Sequence, residues 1–159
     1  MAYPRRSSAQ PATAAAARQA LERFCARRER APSEVLRRIA SLGLSSDESQ
    51  ALWAHLVRER YVDEQRFARA FSTDKLRLER WGRLRIRQAL RQRGISESAI
   101  EQALQGLDPE EYAEAFRHLR EQKRRHYAGQ PQADLKVRAA LFRAGFEPDL
   151  NLSIDESET

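Results

Sequence analysis

Asp63 and Glu64 are adjacent carboxylates of the kind acid–base chemistry uses, and His55, His118 and His126 are imidazoles that could bind metal or carry protons. Neither set is spaced for the task. Neighbouring residues on a helix point about 100° apart, and Asp63 stands where a helix needs an N-cap. The histidines are scattered, with no second His, Cys or carboxylate at a metal-ligand interval, so a structural or solvent role outweighs ligation. No Gly-rich phosphate loop and no nucleophile elbow occurs. The lone cysteine, Cys25, cannot close an internal disulfide, fits a reducing cytosol, and lies one helical turn beyond Leu21, a packing position. These residues point to no catalytic site, no metal and no cofactor.

The basic residues are spaced for a different task. From Lys75 to Arg93 the chain holds eight cations, seven of them Arg, against one acid, Glu79. Arginine's planar fork suits carboxylate and phosphate, so Arg77, Arg80, Arg83, Arg85, Arg87 and Arg91 form the candidate surface for an anionic partner. Arg117, Lys123, Arg124 and Arg125 make a secondary basic patch. A solvated helix face is the plainer alternative. On a helical wheel Ile86, Ala89 and Leu90 define the buried side of this segment, and Arg87 and Arg91 make a stripe flanking it. That stripe is free either to face a partner or to pair with acids of neighbouring helices such as Glu101. From Glu147 onward the balance reverses: five acids and no Lys or Arg, and without those five acids the net charge of +6 would be +11.

Positioning these residues falls to a repeat. Gly43, Gly94 and Gly145 are spaced 51 residues apart, and Val35, Ile86 and Val137 precede them by eight, Ile39, Leu90 and Leu141 by four. A fixed period in this range marks a tandem-repeat architecture, which presents long surfaces rather than a closed pocket. No alternating Val/Ile/Thr run argues for a strand, and no apolar stretch approaches a membrane span.

The expected fold is all-α, three tandem three-helix repeats stacked into an elongated, curved module. Residues 1–11 are expected to be disordered. Repeat one covers 12–62, with helices from about Ala12 to Glu29, from Pro32 to before Gly43, and from a capping box at Ser45 and Glu48. Repeat two covers 63–107: Asp63 caps a helix carrying Phe67, Phe71 and Leu78, Trp81-Gly82 breaks it, a short helix runs to Arg93, and Ser96 caps the next. Repeat three covers 108–148, opening at the strong cap Asp108-Pro109-Glu110-Glu111, with Tyr112, Phe116 and Leu119 on one face; its last helix is short or absent. Residues 149–159 form an acidic, weakly ordered tail.

The stretch Leu90 to Leu104 looks like a helix-turn-helix, whose second helix would enter the major groove. That helix carries Glu97 and Glu101 and no cation. Two carboxylates driven against phosphates are electrostatically wrong, so the turn reads as a packing device. If nucleic acid is touched, the Arg-rich helix before the turn does it.

Tyr61-Val62-Asp63-Glu64-Gln65-Arg66-Phe67-Ala68, Arg77 to Gly82, Arg85-Ile86-Arg87-Gln88-Ala89-Leu90 and Arg93-Gly94-Ile95-Ser96 resemble, in order, the signature of the bacterial RecX regulators. Ser33-Glu34 with Leu36-Arg37-Arg38 resembles that family's first-repeat motif. The likeness spans about Ala14 to Phe146, and its signature positions here are Asp63, Phe67, Gly82, Ile86, Leu90, Gly94 and Ile95. Glu64 departs from the family's usual second Asp, and the acidic tail has no match. The resemblance implies a cytoplasmic protein, expected as a monomer, that binds the RecA recombinase and its filament on single-stranded DNA. It implies inhibition of strand exchange, ATP hydrolysis and co-protease activity, hence modulation of DNA repair and the SOS response. The implied site is the helical groove of the filament, with direct DNA contact possible at its floor. A second reading stays open: a non-sequence-specific DNA-binding helical protein without a protein target.

Overall fold

The computed structural model describes residues 13–150. They form eight helices and no strand: α1 (Ala14–Ala26), α2 (Pro32–Ala40), α3 (Ser46–Arg58), α4 (Glu64–Glu79), α5 (Arg83–Gln92), α6 (Glu97–Gln105), α7 (Pro109–Tyr127) and α8 (Ala133–Arg143). They group into two compact units that divide between Asp63 and Glu64. The expectations for residues 1–11 and for most of the acidic tail lie outside the described residues, and so does any helix beyond Leu150.

The first unit is a three-helix cluster. Ala17, Leu21 and Cys25 of α1, Val35 and Ile39 of α2, and Leu52 and Leu56 of α3 turn inward. Burial raises the pKa of the Cys25 thiol, so it sits there as a small apolar side chain. The boundaries follow local chemistry. Pro32 starts α2 at a position that needs no amide donor. Ser45 and Glu48 form the capping box that opens α3, each side chain satisfying the other's backbone N–H. The first helix stops at Ala26 rather than reaching Glu29. The Arg30 side chain turns back, donates to the Phe24 carbonyl at 3.2 Å and lies over the Phe24 ring at 3.8 Å, so it satisfies a carbonyl of the last turn.

In the second unit α4 packs on α5, α6 and α7, and α7 packs on α8. Its core runs from Phe67 and Leu76 through Ile86, Leu90 and Ile100 to Phe116, Leu141 and Phe146. Asp108 accepts from the Glu111 N–H at 2.9 Å and opens α7. The repeat signal survives in both units. Val35, Ile39, Ile86, Leu90, Val137 and Leu141 are all buried, and Gly43, Gly94 and Gly145 all take positive φ at the turn after their helix. After α5 and α8 the same bond closes that turn, Ile95 N–H to Leu90 O and Phe146 N–H to Leu141 O, each 3.1 Å.

One expected core position is corrected. Leu78 does not share the buried face of α4 with Phe67; it is 77% exposed. The buried residues of α4 step from Ala68 to Ser72 to Leu76, and each four-residue step rotates the stripe by about 40°. By the last turn the core faces Leu76, and Leu78, about 200° further round, points to solvent. Phe71 is only half-buried, as is Leu119 on α7.

Candidate functional site

The arginine row lies at the end of α4, in the turn after it and along α5, all in the second unit. The structure separates its members by partner. Arg77 makes a two-pronged pair with Glu111 of α7, both N–O distances 2.8 Å. Arg87 reaches Glu101 at 2.8 Å and Glu97 at 3.3 Å, and Arg91 bonds Glu97. Arg83 lies over the Tyr112 ring at 3.8 Å and is 3.5 Å from the Glu147 carboxylate. Of the two roles open to the Arg87 and Arg91 stripe, pairing with α6 is the one seen in the isolated chain. The Arg77–Glu111 and Arg91–Glu97 pairs are exposed on both sides, so water and salt screen them and they hold side chains in place more than they stabilise the fold.

The carboxylates feel those contacts. A hydrogen bond from Arg91 holds the Glu97 carboxyl below the ordinary glutamate range. Arg87 does the same to Glu101, and Arg77 to Glu111.

Arg80 and Arg85 differ from the other four: neither has an acidic partner among the described residues. Arg80 sits just past α4 with a positive φ of 52°, and Arg85 lays its guanidinium over the Trp81 ring at 4.0 Å. In the secondary patch Arg117 pairs with Glu110 and Arg125 with Glu121. Arg124 is exposed and Lys123 half-buried, both without an acidic partner among the described residues. Of the signature positions, Phe67, Ile86, Leu90 and Ile95 are core, Gly82 and Gly94 make turns, and Asp63 directly precedes α4 and accepts from Arg60 at 2.9 Å.

Glu64, an acid–base candidate by its neighbour, has a structural role instead. Its two oxygens accept from the Ser96 N–H at 2.5 Å and the Ser96 hydroxyl at 3.0 Å. In repeat one the N-cap amide of Ser45 is satisfied by Glu48, three residues on. In repeat two that position is Ala99, and Glu64 supplies the carboxylate from α4. Glu147, which takes the place of Ser45 and Ser96 in the 51-residue register, accepts from the Tyr112 hydroxyl at 2.6 Å. Neither long-range tie is visible from local spacing, although the register itself singles out Glu147. Burial and the Glu147 bond push the Tyr112 phenol well above its usual value, so it stays a donor.

Among the described residues no group of three or more His, Cys, Asp or Glu could hold a metal ion, and no helix is long and apolar enough to cross a membrane.

Residues 63–104 match the family described as RecX, second three-helix domain. The chain is 34% identical over 128 residues to the regulatory protein RecX of Chromobacterium violaceum, covering 78% of each. It is 37% identical over 143 residues to the regulatory protein RecX of Halorhodospira halophila, covering 87% of this chain and 85% of that one. A crystal structure of regulatory protein RecX superposes with a TM-score of 0.81 at 25% identity, over 90% of this chain and 71% of the other.

Proposed function

We propose, for a chain that belongs to the RecX family, that it binds the RecA recombinase and its filament on single-stranded DNA and restrains it. Strand exchange, ATP hydrolysis and co-protease activity are the outputs held down, so DNA repair and the SOS response are what the chain modulates. The observation that carries this reading is the likeness to relatives named as regulatory proteins over most of both chains. The geometry is compatible with it. Helical repeats expose rows of side chains rather than a closed cavity, and the arginines of α4, its following turn and α5 lie on more than one face of the second unit. The contact residues are Arg77, Arg80, Arg83, Arg85, Arg87 and Arg91, with Arg117, Lys123, Arg124 and Arg125 secondary. Arginines whose acids lie on their own chain can exchange those acids for a partner's carboxylates or phosphates at little net cost, because exposed pairs are weak. The protein acts in the cytoplasm as a monomer.

The test is strand exchange by the cognate recombinase with increasing amounts of this chain. Inhibition is expected well below one copy per recombinase monomer, because one blocked site stalls a polymer. A need for molar excess, or loss of inhibition once DNA is in excess, would instead mark a DNA-binding protein without a protein target.

A further inference from the structure

Four cations from four different elements converge on one shallow pocket of the second unit, of about 250 Å³. Arg80 comes from the turn after α4, Arg85 from α5, Lys123 from α7 and Arg143 from α8; Leu119, Ala140 and Ala144 supply apolar wall. The one acid facing the pocket, Glu79, is already bonded to Lys75. None of the four cations has an acidic partner among the described residues. The turn into α5 and the end of α8 are fixed against each other by backbone bonds, Gly82 N–H to Ala144 O at 2.8 Å and Leu84 N–H to Gly145 O at 2.9 Å. These carry Arg85 and Arg143 to the same place. Trp81 holds Arg85 at the rim through its ring.

We infer that this pocket binds the phosphodiester backbone of single-stranded nucleic acid. Like charges gathered around a small volume repel, and the arrangement is satisfied when an anion neutralises them. A single protein carboxylate is planar, has two oxygens and is saturated by one arginine fork. Three arginines and a lysine arriving from four directions exceed that capacity. A nucleic-acid strand supplies one charge per nucleotide, and a flexible single strand can turn successive phosphates toward one pocket, which a stiff duplex does not do. The paired arginines Arg77, Arg87 and Arg91 are thereby separated from the site: they are neutralised within the chain, and the pocket cations are not. This inference names the ligand of one part of the surface proposed above. Its main readout, oligonucleotide binding, contains no recombinase, so its failure and the failure of that reading are distinguishable.

The experiment is fluorescence anisotropy of a labelled oligothymidylate with the full chain, across a salt series. Lys123→Gln with Arg143→Gln removes two pocket cations. Arg69→Gln with Arg138→Gln removes two exposed cations of the same unit that lie outside both the pocket and the proposed contact surface, as the matched control. The pocket variant is expected to bind at least about tenfold more weakly. Its log–log salt slope should fall by about 1.4, two single-strand phosphate contacts at about 0.7 each. The control should lose less than about threefold. The melting temperature of the pocket variant should stay level or rise, since uncompensated repulsion is relieved. Equal losses in both variants would show a diffuse field and overturn the inference, and so would a fall in melting temperature caused by the pocket changes. It is equally overturned if the pocket variant binds the oligonucleotide normally but loses affinity for DNA-free recombinase, which would assign the pocket to protein carboxylates.

Discussion

Gly82 and Gly145 meet backbone to backbone. A Cβ on Gly82 would lie 2.3 Å from the Gly145 carbonyl carbon, and a Cβ on Gly145 would lie 2.4 Å from the Arg85 Cβ, with Gly145 itself at φ +97°. The start of α5 and the turn after α8 are therefore held as close as two chains can come, with the Gly82 amide bonded across the contact. Both glycines lie outside helices, so the requirement is steric closeness and, at Gly145, a positive φ.

Gly82→Ala should cost about 3–5 kcal/mol, because rigid backbone rather than a movable side chain occupies the new methyl's position. Gly129→Ala is the comparison. Gly129 also has positive φ but nothing within 4 Å, so only the left-handed backbone penalty applies, about 1–2 kcal/mol. Urea unfolding followed by helical circular dichroism checks the order. Equal losses at the two positions would mean that the crossing contributes nothing beyond backbone strain.

Glu64 is the second test. Its carboxylate satisfies both the amide and the hydroxyl of Ser96 from a residue 32 positions away. Removing it in Glu64→Ala should cost about 1–2 kcal/mol, the range of a lost cap interaction. Glu64→Gln keeps one acceptor and should lose less. A Glu64→Ala protein that unfolds at the wild-type urea concentration would show that the Ser96 amide is served equally well by water.

The contrast between Glu64 and the glycine repeat shows what the sequence discloses. Val35, Ile86 and Val137, and the glycines eight residues beyond them, announce themselves because a buried helix face and a left-handed turn are local demands repeated at a fixed interval. The caps at Ser45 and Asp108 are legible for the same reason. Arg87 with Glu101, Arg77 with Glu111 and Glu64 with Ser96 join residues on different helices, and their partners depend on how those helices pack. Leu78 failed because the apolar stripe of α4 drifts round the helix, and a fixed wheel position does not follow it. The convergence of Arg80, Arg85, Lys123 and Arg143 is invisible in one dimension: two lie in the recognised row, one in the secondary patch, and Arg143 in neither.

Ser72 is fully buried on α4, and its hydroxyl has no hydrogen-bond partner among the described residues. A buried polar group without a partner keeps its desolvation cost unrecovered. Ser72→Ala removes the oxygen and adds no volume. It should be neutral or stabilising by roughly 1 kcal/mol, seen as an unchanged or higher melting temperature. A clear loss of stability would reveal a hydrogen bond that the hydroxyl makes in solution.

The paired stripe on α5 makes the last prediction. Arg87 and Arg91 are held by Glu97 and Glu101, so reversing both arginines to acids would crowd four carboxylates and confuse folding with binding. Neutral changes separate the two. Arg87→Gln with Arg91→Gln should keep the helical signal and weaken filament inhibition at least about tenfold. Glu97→Gln with Glu101→Gln frees the same guanidinium groups and should leave inhibition equal or stronger. The glutamate variant also has a pH signature. Both carboxyls are held below the ordinary value of 4.5 in the folded chain, Glu97 chiefly by Arg91 and Glu101 chiefly by Arg87. A lowered folded pKa gives a contribution that is complete above the unfolded value and disappears as pH falls through the folded one. The wild-type melting temperature should therefore drop on acidification below the usual glutamate range, and the Glu97→Gln, Glu101→Gln protein should drop less. If the arginine variant inhibits as well as wild type while folding normally, this stripe serves α6 alone, and the binding surface lies with the unpaired cations.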